Sequence, residues 1–173
     1  MRKSVFLKHI EQLDEDDLRN ELLTLYDKVQ GVPKYYAMEL GSEKDRDKYF
    51  AGIRKQIKSK YATKSLRKPR RPRIQKINKI LSEVAKTVLF DYEMIDIYLY
   101  NAEEAVNFMI IYNYFSTPVF NSIVNSYVKA LDLIDANRMK DEYEESASRI
   151  LLLARIDKNL YSTMKSHFEK LYG

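Results

Sequence analysis

Ile74, Ile77, Ile80, Leu81, Val84 and Val88 recur three or four residues apart, and stripes of this kind run along the whole chain. That spacing puts apolar side chains on one face of a helix. No useful stretch alternates apolar and polar residues with the period of two that a half-buried strand needs. Four glycines and four prolines in 173 residues also leave too little turn material for a β-sandwich. The reading is all-α, with antiparallel helices joined as αα-hairpins. At 45% hydrophobic residues the chain can bury a core, so global disorder is not expected.

Caps and breakers place the helices. Val5, Leu7, Ile10 and Leu13 mark a short first helix. Asp14 is read as an N-cap with Asp17 at the third position, opening a helix on Leu18, Leu22, Leu25, Tyr26 and Val29 that Gly31 and Pro33 end. A short piece runs from Pro33 to Leu40, and Ser42 caps a helix with Tyr49, Phe50, Ile53 and Ile57 on one face, fading near Tyr61. Pro72 fits a first helical position, opening a helix that carries the Ile74 to Val88 stripe as far as Phe90. Asp91 is read as the cap of a long helix, Tyr92 to Phe115, and Thr117 followed by Pro118 as the start of one reaching Asn137. Two more cover Met139 to Ala154 and, behind an Asp157 cap, Leu160 to Leu171.

From Arg73 onward these starts pair into hairpins about 40–45 residues apart, the spacing of helical solenoid repeats. The hairpins share no residue pattern, so two architectures stay open: a short curved, solenoid-like stack and an irregular bundle. Three segments are expected: an N-terminal helical segment over 1–61, a basic proline-containing connector over 62–72 and a helical-hairpin core over 73–173. The first and last should form one compact unit.

Charge is distributed unevenly. Residues 1–53 hold 9 basic and 11 acidic side chains, residues 54–82 hold 12 basic and none acidic, and residues 83–173 hold 9 basic and 14 acidic. The basic block centres on KSLRKPRRPRIQKINK, with eight cations: Lys64, Arg67, Lys68, Arg70, Arg71, Arg73, Lys76 and Lys79. Lys58 and Lys60 fall at a helix C-terminus, where positive charge complements the dipole. Arg70, Arg71 and Arg73 instead surround a helix N-terminus, already positive and rich in free backbone N–H groups. The eight cations are therefore anion- or polyanion-binding candidates. Pro69 and Pro72 should keep the connector extended and the side chains outward. The anion is either an external phosphate or a carboxylate from the acidic stretch between Thr87 and Val128, which has Asp91, Glu93, Asp96, Glu103 and Glu104 and no Lys or Arg. With only Gln75 and Asn78 among the charges and no aromatic ring, nucleic-acid binding here would lack sequence specificity.

The chemistry that remains is sparse. There is no cysteine, which excludes disulfides, thiol nucleophiles and Cys-based metal sites. The two histidines, His9 and His167, lie near opposite ends of the chain, and no Glu-x-x-His accompanies Asp96, Glu103 and Glu104. Phosphate-loop, nucleophile-elbow and zinc-protease motifs are missing. No catalytic residue, metal site or cofactor is assigned. The fourteen tyrosines suit packing and interfaces alike, and Tyr98 and Tyr112, on one stripe, are partner-surface candidates. Lys8 and Glu11 interrupt the N-terminal apolar run too early for a signal peptide. Asp96, Glu103 and Glu104 make the most apolar segment a core helix and not a membrane span. A cytoplasmic location and no membrane partner are expected.

Several stretches carry a resemblance: LKHIEQLDEDDLRNELLTLYDKV, KYYAMEL, PVFNSIVNSYVKALDLI and NLYSTMKSHFEKLY. Together they resemble a family of small bacterial all-helical proteins of unknown function. The resemblance implies an α-helical fold and a bacterial source, and it carries over no catalytic residue. The leading functional expectation is a non-enzymatic helical module that binds an unidentified protein. The alternative is a sequence-nonspecific nucleic-acid accessory protein acting through the connector, and a homo-oligomer stays open in either case.

Overall fold

The computed structural model describes residues 1–173. The chain forms nine α-helices, one 3-10 turn and no strand, as the apolar spacing requires. It divides between Gly41 and Ser42 into two compact units. The expected boundary at Tyr61 is therefore wrong: the helix ending there packs against helices later in the chain, and the segment over 1–61 is split.

Residues 1–41 carry α1 (Lys3–Ile10), α2 (Glu15–Lys28) and α3 (Gly31–Glu39). Asp14 caps α2 by accepting the Asp17 N–H at 2.8 Å. α2 stops at Val29, whose extended backbone breaks the helix. Gly31 does not terminate it but is the first residue of α3, and Pro33 sits in that first turn, where its missing N–H is harmless. α3 packs on α2. Met38 is the only buried side chain among residues 1–41.

Residues 42–173 carry α4 (Glu43–Tyr61), α5 (Ile74–Val84), α6 (Asp91–Tyr112), α7 (Thr117–Ala136), α8 (Lys140–Leu153) and α9 (Lys158–Tyr172), with the 3-10 turn Ala154–Ile156 before α9. They pair as three hairpins, α4/α5, α6/α7 and α8/α9. α4, α6 and α8 pack side by side in one layer, and α5, α7 and α9 in a second. This is the order of a helical stack rather than an irregular bundle. Its second helices begin 43 and 41 residues apart, at Ile74, Thr117 and Lys158, within the expected step, while its first helices begin 48 and 49 apart, at Glu43, Asp91 and Lys140, with α4 as the partner of α5.

Capping chemistry and core burial agree in this unit. Ser42 and Asp45 form a reciprocal capping box on α4, and Asp157 accepts the Leu160 N–H at 2.8 Å to start α9. α6 is the central helix, touching α4, α5, α7 and α8, with Ile95, Ile97, Ala102, Ala105 and Val106 fully buried. Two expected starts are displaced, that of α5 by two residues and that of α7 by one. Pro72 precedes the N-cap Arg73 instead of opening α5, and Ser116 rather than Thr117 is the N-cap of α7. Asp91 is the first residue of α6 and not its cap; its carboxylate accepts from Asn137 at 2.9 Å. α5 ends at Val84 and not at Phe90. The Thr87 hydroxyl donates to the Val84 carbonyl at 3.0 Å, satisfying the helix end there.

Candidate interaction surfaces

The connector is folded on itself, not extended. Thr63 Oγ1 accepts the Arg70 N–H at 2.9 Å, and Ser65 Oγ accepts the Lys68 N–H at 3.1 Å. The Arg73 N–H donates to the Lys60 carbonyl at 3.2 Å, and Pro72 is buried. Hydroxyl-to-backbone bonds of this type offer the chain a compact local route that prolines alone do not dictate.

Lys64, Arg67, Lys68, Arg70, Arg71, Arg73, Lys76 and Lys79 are nevertheless all exposed. Lys79 reaches Glu83 at 3.9 Å, and the other seven make no ion pair. Arg71, Arg73, Gln75 and Lys76 line an open concavity of about 470 Å³, and Pro118 in the first turn of α7 completes it. Two helix N-termini thus lie beside three unpaired cations, all of one electrostatic sign.

The acidic stretch on α6 does not face the connector. Its carboxylates are held by α4 and α8: Glu93 by Arg46 at 2.7 Å, Asp96 by Arg54 at 3.8 Å, Glu104 by Lys58 at 3.7 Å, and Glu103 by both terminal nitrogens of Arg149. Internal neutralisation of Arg70, Arg71 and Arg73 by these acids is thereby overturned, because the neighbouring helices of the same layer reach them first. Burial pushes the Asp96 carboxyl above its usual range, and the Tyr143 hydroxyl, donating at 3.1 Å, opposes that shift.

Tyr98 is not a partner surface. It is 8% exposed, with the Lys129 ammonium 5.5 Å from its ring centroid, so the ring is part of the core. Tyr112 is half-buried against Phe108, ring centroids 4.8 Å apart. The shared stripe identified a helix face but could not show that the face turns inward.

The surface that sequence reasoning missed is on residues 1–41. Val5, Leu7, Leu22, Leu23, Tyr26 and Val29 are exposed, Leu23 at 58%, and Leu40 is 80% exposed. Leu22, Tyr26 and Val29 belong to the stripe expected to be core. The signal that could have found this surface is apolar residues on both faces of α2, Leu22 and Leu23 being adjacent. No group of three His, Asp or Glu side chains is placed to hold a metal ion. No helix is long and apolar enough to cross a membrane.

Residues 1–172 match the profile of a family of unknown function, DUF6155. The chain belongs to this family. The match spans both units, so the exposed apolar helices and the basic connector lie within one family-wide segment. No curated protein and no solved structure matches the chain significantly.

Proposed function

We propose that this DUF6155 chain is a non-enzymatic helical protein-interaction module of the bacterial cytoplasm, binding its partner through α1 and α2. The observation that carries this reading is the apolar surface of residues 1–41, with Val5, Leu22, Leu23, Tyr26 and Val29 open to solvent. Large apolar side chains left open to solvent in this number are what protein–protein contact sites on soluble proteins present. The test replaces Leu22 and Leu23 by Glu. Both side chains are exposed, so the helical signal and the unfolding midpoint should stay unchanged. Capture of protein partners, or self-association measured by sedimentation, should be lost. Capture that survives the double substitution would refute the reading.

A second reading, sequence-nonspecific nucleic-acid binding through the connector, is supported by its seven exposed cations without ion pairs. Affinity carried by counterion release falls linearly with log salt, with a slope of about −4 to −5 for about five phosphates on duplex DNA. Replacing Arg70, Arg71 and Arg73 by Gln should flatten that slope and leave stability unchanged. Failure of the wild-type protein to bind DNA or RNA at about 50 mM salt, where phosphate contacts are strong, ends this second reading.

A further inference from the structure

Residues 1–41 segregate their charge along the chain. Residues 1–10 hold three basic side chains, Arg2, Lys3 and Lys8, and no acidic one, while residues 11–27 hold seven acidic side chains and one basic, Arg19. Arg19 is taken up inside α2, by Glu15 at 3.5 Å and Asp16 at 3.4 Å. Arg2, Lys3 and Lys8 make no ion pair, and neither do Asp17, Glu21 and Asp27. The basic helix and the acidic one therefore do not neutralise each other within one copy. Exposed apolar side chains share helix faces with these charges. On α2, Asp16, Leu23 and Asp27 follow at steps of seven and four residues, which puts them on one line. On α1, Lys3 stands four residues before Leu7 and Lys8 three after Val5.

Packing within residues 1–41 leaves these faces open. No helix packs along α1, α3 is the helix that packs on α2, and Met38 is the only buried side chain. α1 has 8 residues, and isolated helices shorter than about 12–15 residues are marginal in water. The segment thus gains its order from whatever covers it. An occupant has to bring apolar side chains, acids for α1 and cations for α2. A second copy of the same segment brings all three. A two-fold axis sets α1 of each copy against α2 of the other, so the charge complementarity is satisfied twice. A partner surface of a single sign would match one helix and repel the other.

We propose that the partner of the α1–α2 surface is a second copy of this chain, bound in a two-fold symmetric dimer with α1 of each copy against α2 of the other. The proposal rests on the reading of α1 and α2 as the binding surface and names what binds there. Sedimentation of the full chain should show a monomer–dimer equilibrium. Lys3→Glu with Lys8→Glu reverses the cations of α1, and Asp16→Lys with Asp27→Lys reverses the charges on either side of Leu23. Each double variant alone should lose the dimer, because like charges then meet across both contacts. An equimolar mixture of the two should regain it, since reversed α1 faces reversed α2 at one contact and the native pair meets at the other. Variants that merely fold badly could not rescue each other in this way. Wild-type protein that stays monomeric, a single double variant that dimerises as wild type does, or a mixture that stays monomeric overturns the proposal. Monomeric wild type that still captures a foreign protein, with capture lost on Leu22→Glu and Leu23→Glu, overturns the dimer alone and leaves the α1–α2 surface as a binding site. Dimerisation and capture that both survive Leu22→Glu and Leu23→Glu overturn the surface itself, and the dimer proposal with it.

Discussion

Tyr61, the last residue of α4, donates its hydroxyl to Oδ1 of Asn101 in the middle of α6 at 3.0 Å. Nδ2 of the same amide donates to Ser126 of α7 at 2.8 Å, so one fully buried Asn joins three helices. Satisfied buried hydrogen bonds contribute modestly, whereas orphaned ones are costly. Tyr61→Phe removes the donor to Oδ1 and should cost about 1–3 kcal/mol. The change is read as a lower urea midpoint at unchanged slope. Combining it with Asn101→Leu should cost less than the sum of the two single changes, because the orphaned partner is removed as well.

How far the sequence revealed this arrangement depends on the range of the interaction. Asp14, Ser42 and Asp157 were legible as caps because the bonds they make reach only three residues along the chain. The end of α5 was not legible, since Val88 continues the apolar stripe while the Thr87 hydroxyl closes the helix at Val84. The unit boundary was misplaced for a tertiary reason. α4 reads like any other amphipathic helix, and only its packing on α5 and α6 shows that it belongs to the stack. The connector's cations were legible by composition. That Arg46, Arg54, Lys58 and Arg149 would claim the α6 carboxylates depends on which helices are neighbours, and local spacing does not carry that information.

Division of the core between the two units predicts their separate behaviour. Every buried side chain except Met38 lies within residues 42–173. That segment should fold alone, with a helical spectrum and one cooperative thermal transition. Residues 1–41 alone should show little helix, since α1, α2 and α3 are 8, 14 and 9 residues long. Isolated helices shorter than about 12–15 residues are marginal in water. Circular dichroism of the two fragments checks both expectations, and a non-cooperative 42–173 fragment would contradict the first.

Alkaline pH should unfold the protein through its tyrosines. Burial raises the hydroxyls of Tyr100 and Tyr172 to about 12, and it raises those of Tyr61, Tyr127 and Tyr143 as well. In each case the folded state favours the neutral phenol. The stability this contributes is complete below the unfolded value near 10 and is lost as pH rises through the folded values. Helical signal should therefore fall between about pH 10 and 12, together with a late phase of phenolate absorbance. A phenolate titration that finishes near pH 10 with the helices intact would be inconsistent with these burials.

Arg138 offers the clearest route to a more stable chain. It comes directly after α7 and Asn137 with φ 57°, the left-handed region that disfavours residues with a Cβ. The hydrogen bonds explain why the chain accepts it: the Met139 N–H donates to the Ile134 carbonyl at 3.0 Å and the Arg138 N–H to the Asp135 carbonyl at 3.1 Å. This pair is a Schellman motif, whose left-handed position is normally glycine. The Arg138 side chain is exposed and makes no ion pair, so nothing in the fold offsets the backbone strain. Arg138→Gly should relieve that strain, about 1–2 kcal/mol, less the greater unfolded-state freedom of glycine, about 0.5–1 kcal/mol. The net expected is a gain of up to about 1 kcal/mol, seen as a higher urea midpoint. Arg138→Ala keeps the Cβ and should give no gain, which separates backbone relief from loss of the arginine charge. Equal stabilisation by Ala and Gly would show that the charge, and not the left-handed backbone, is the destabilising element.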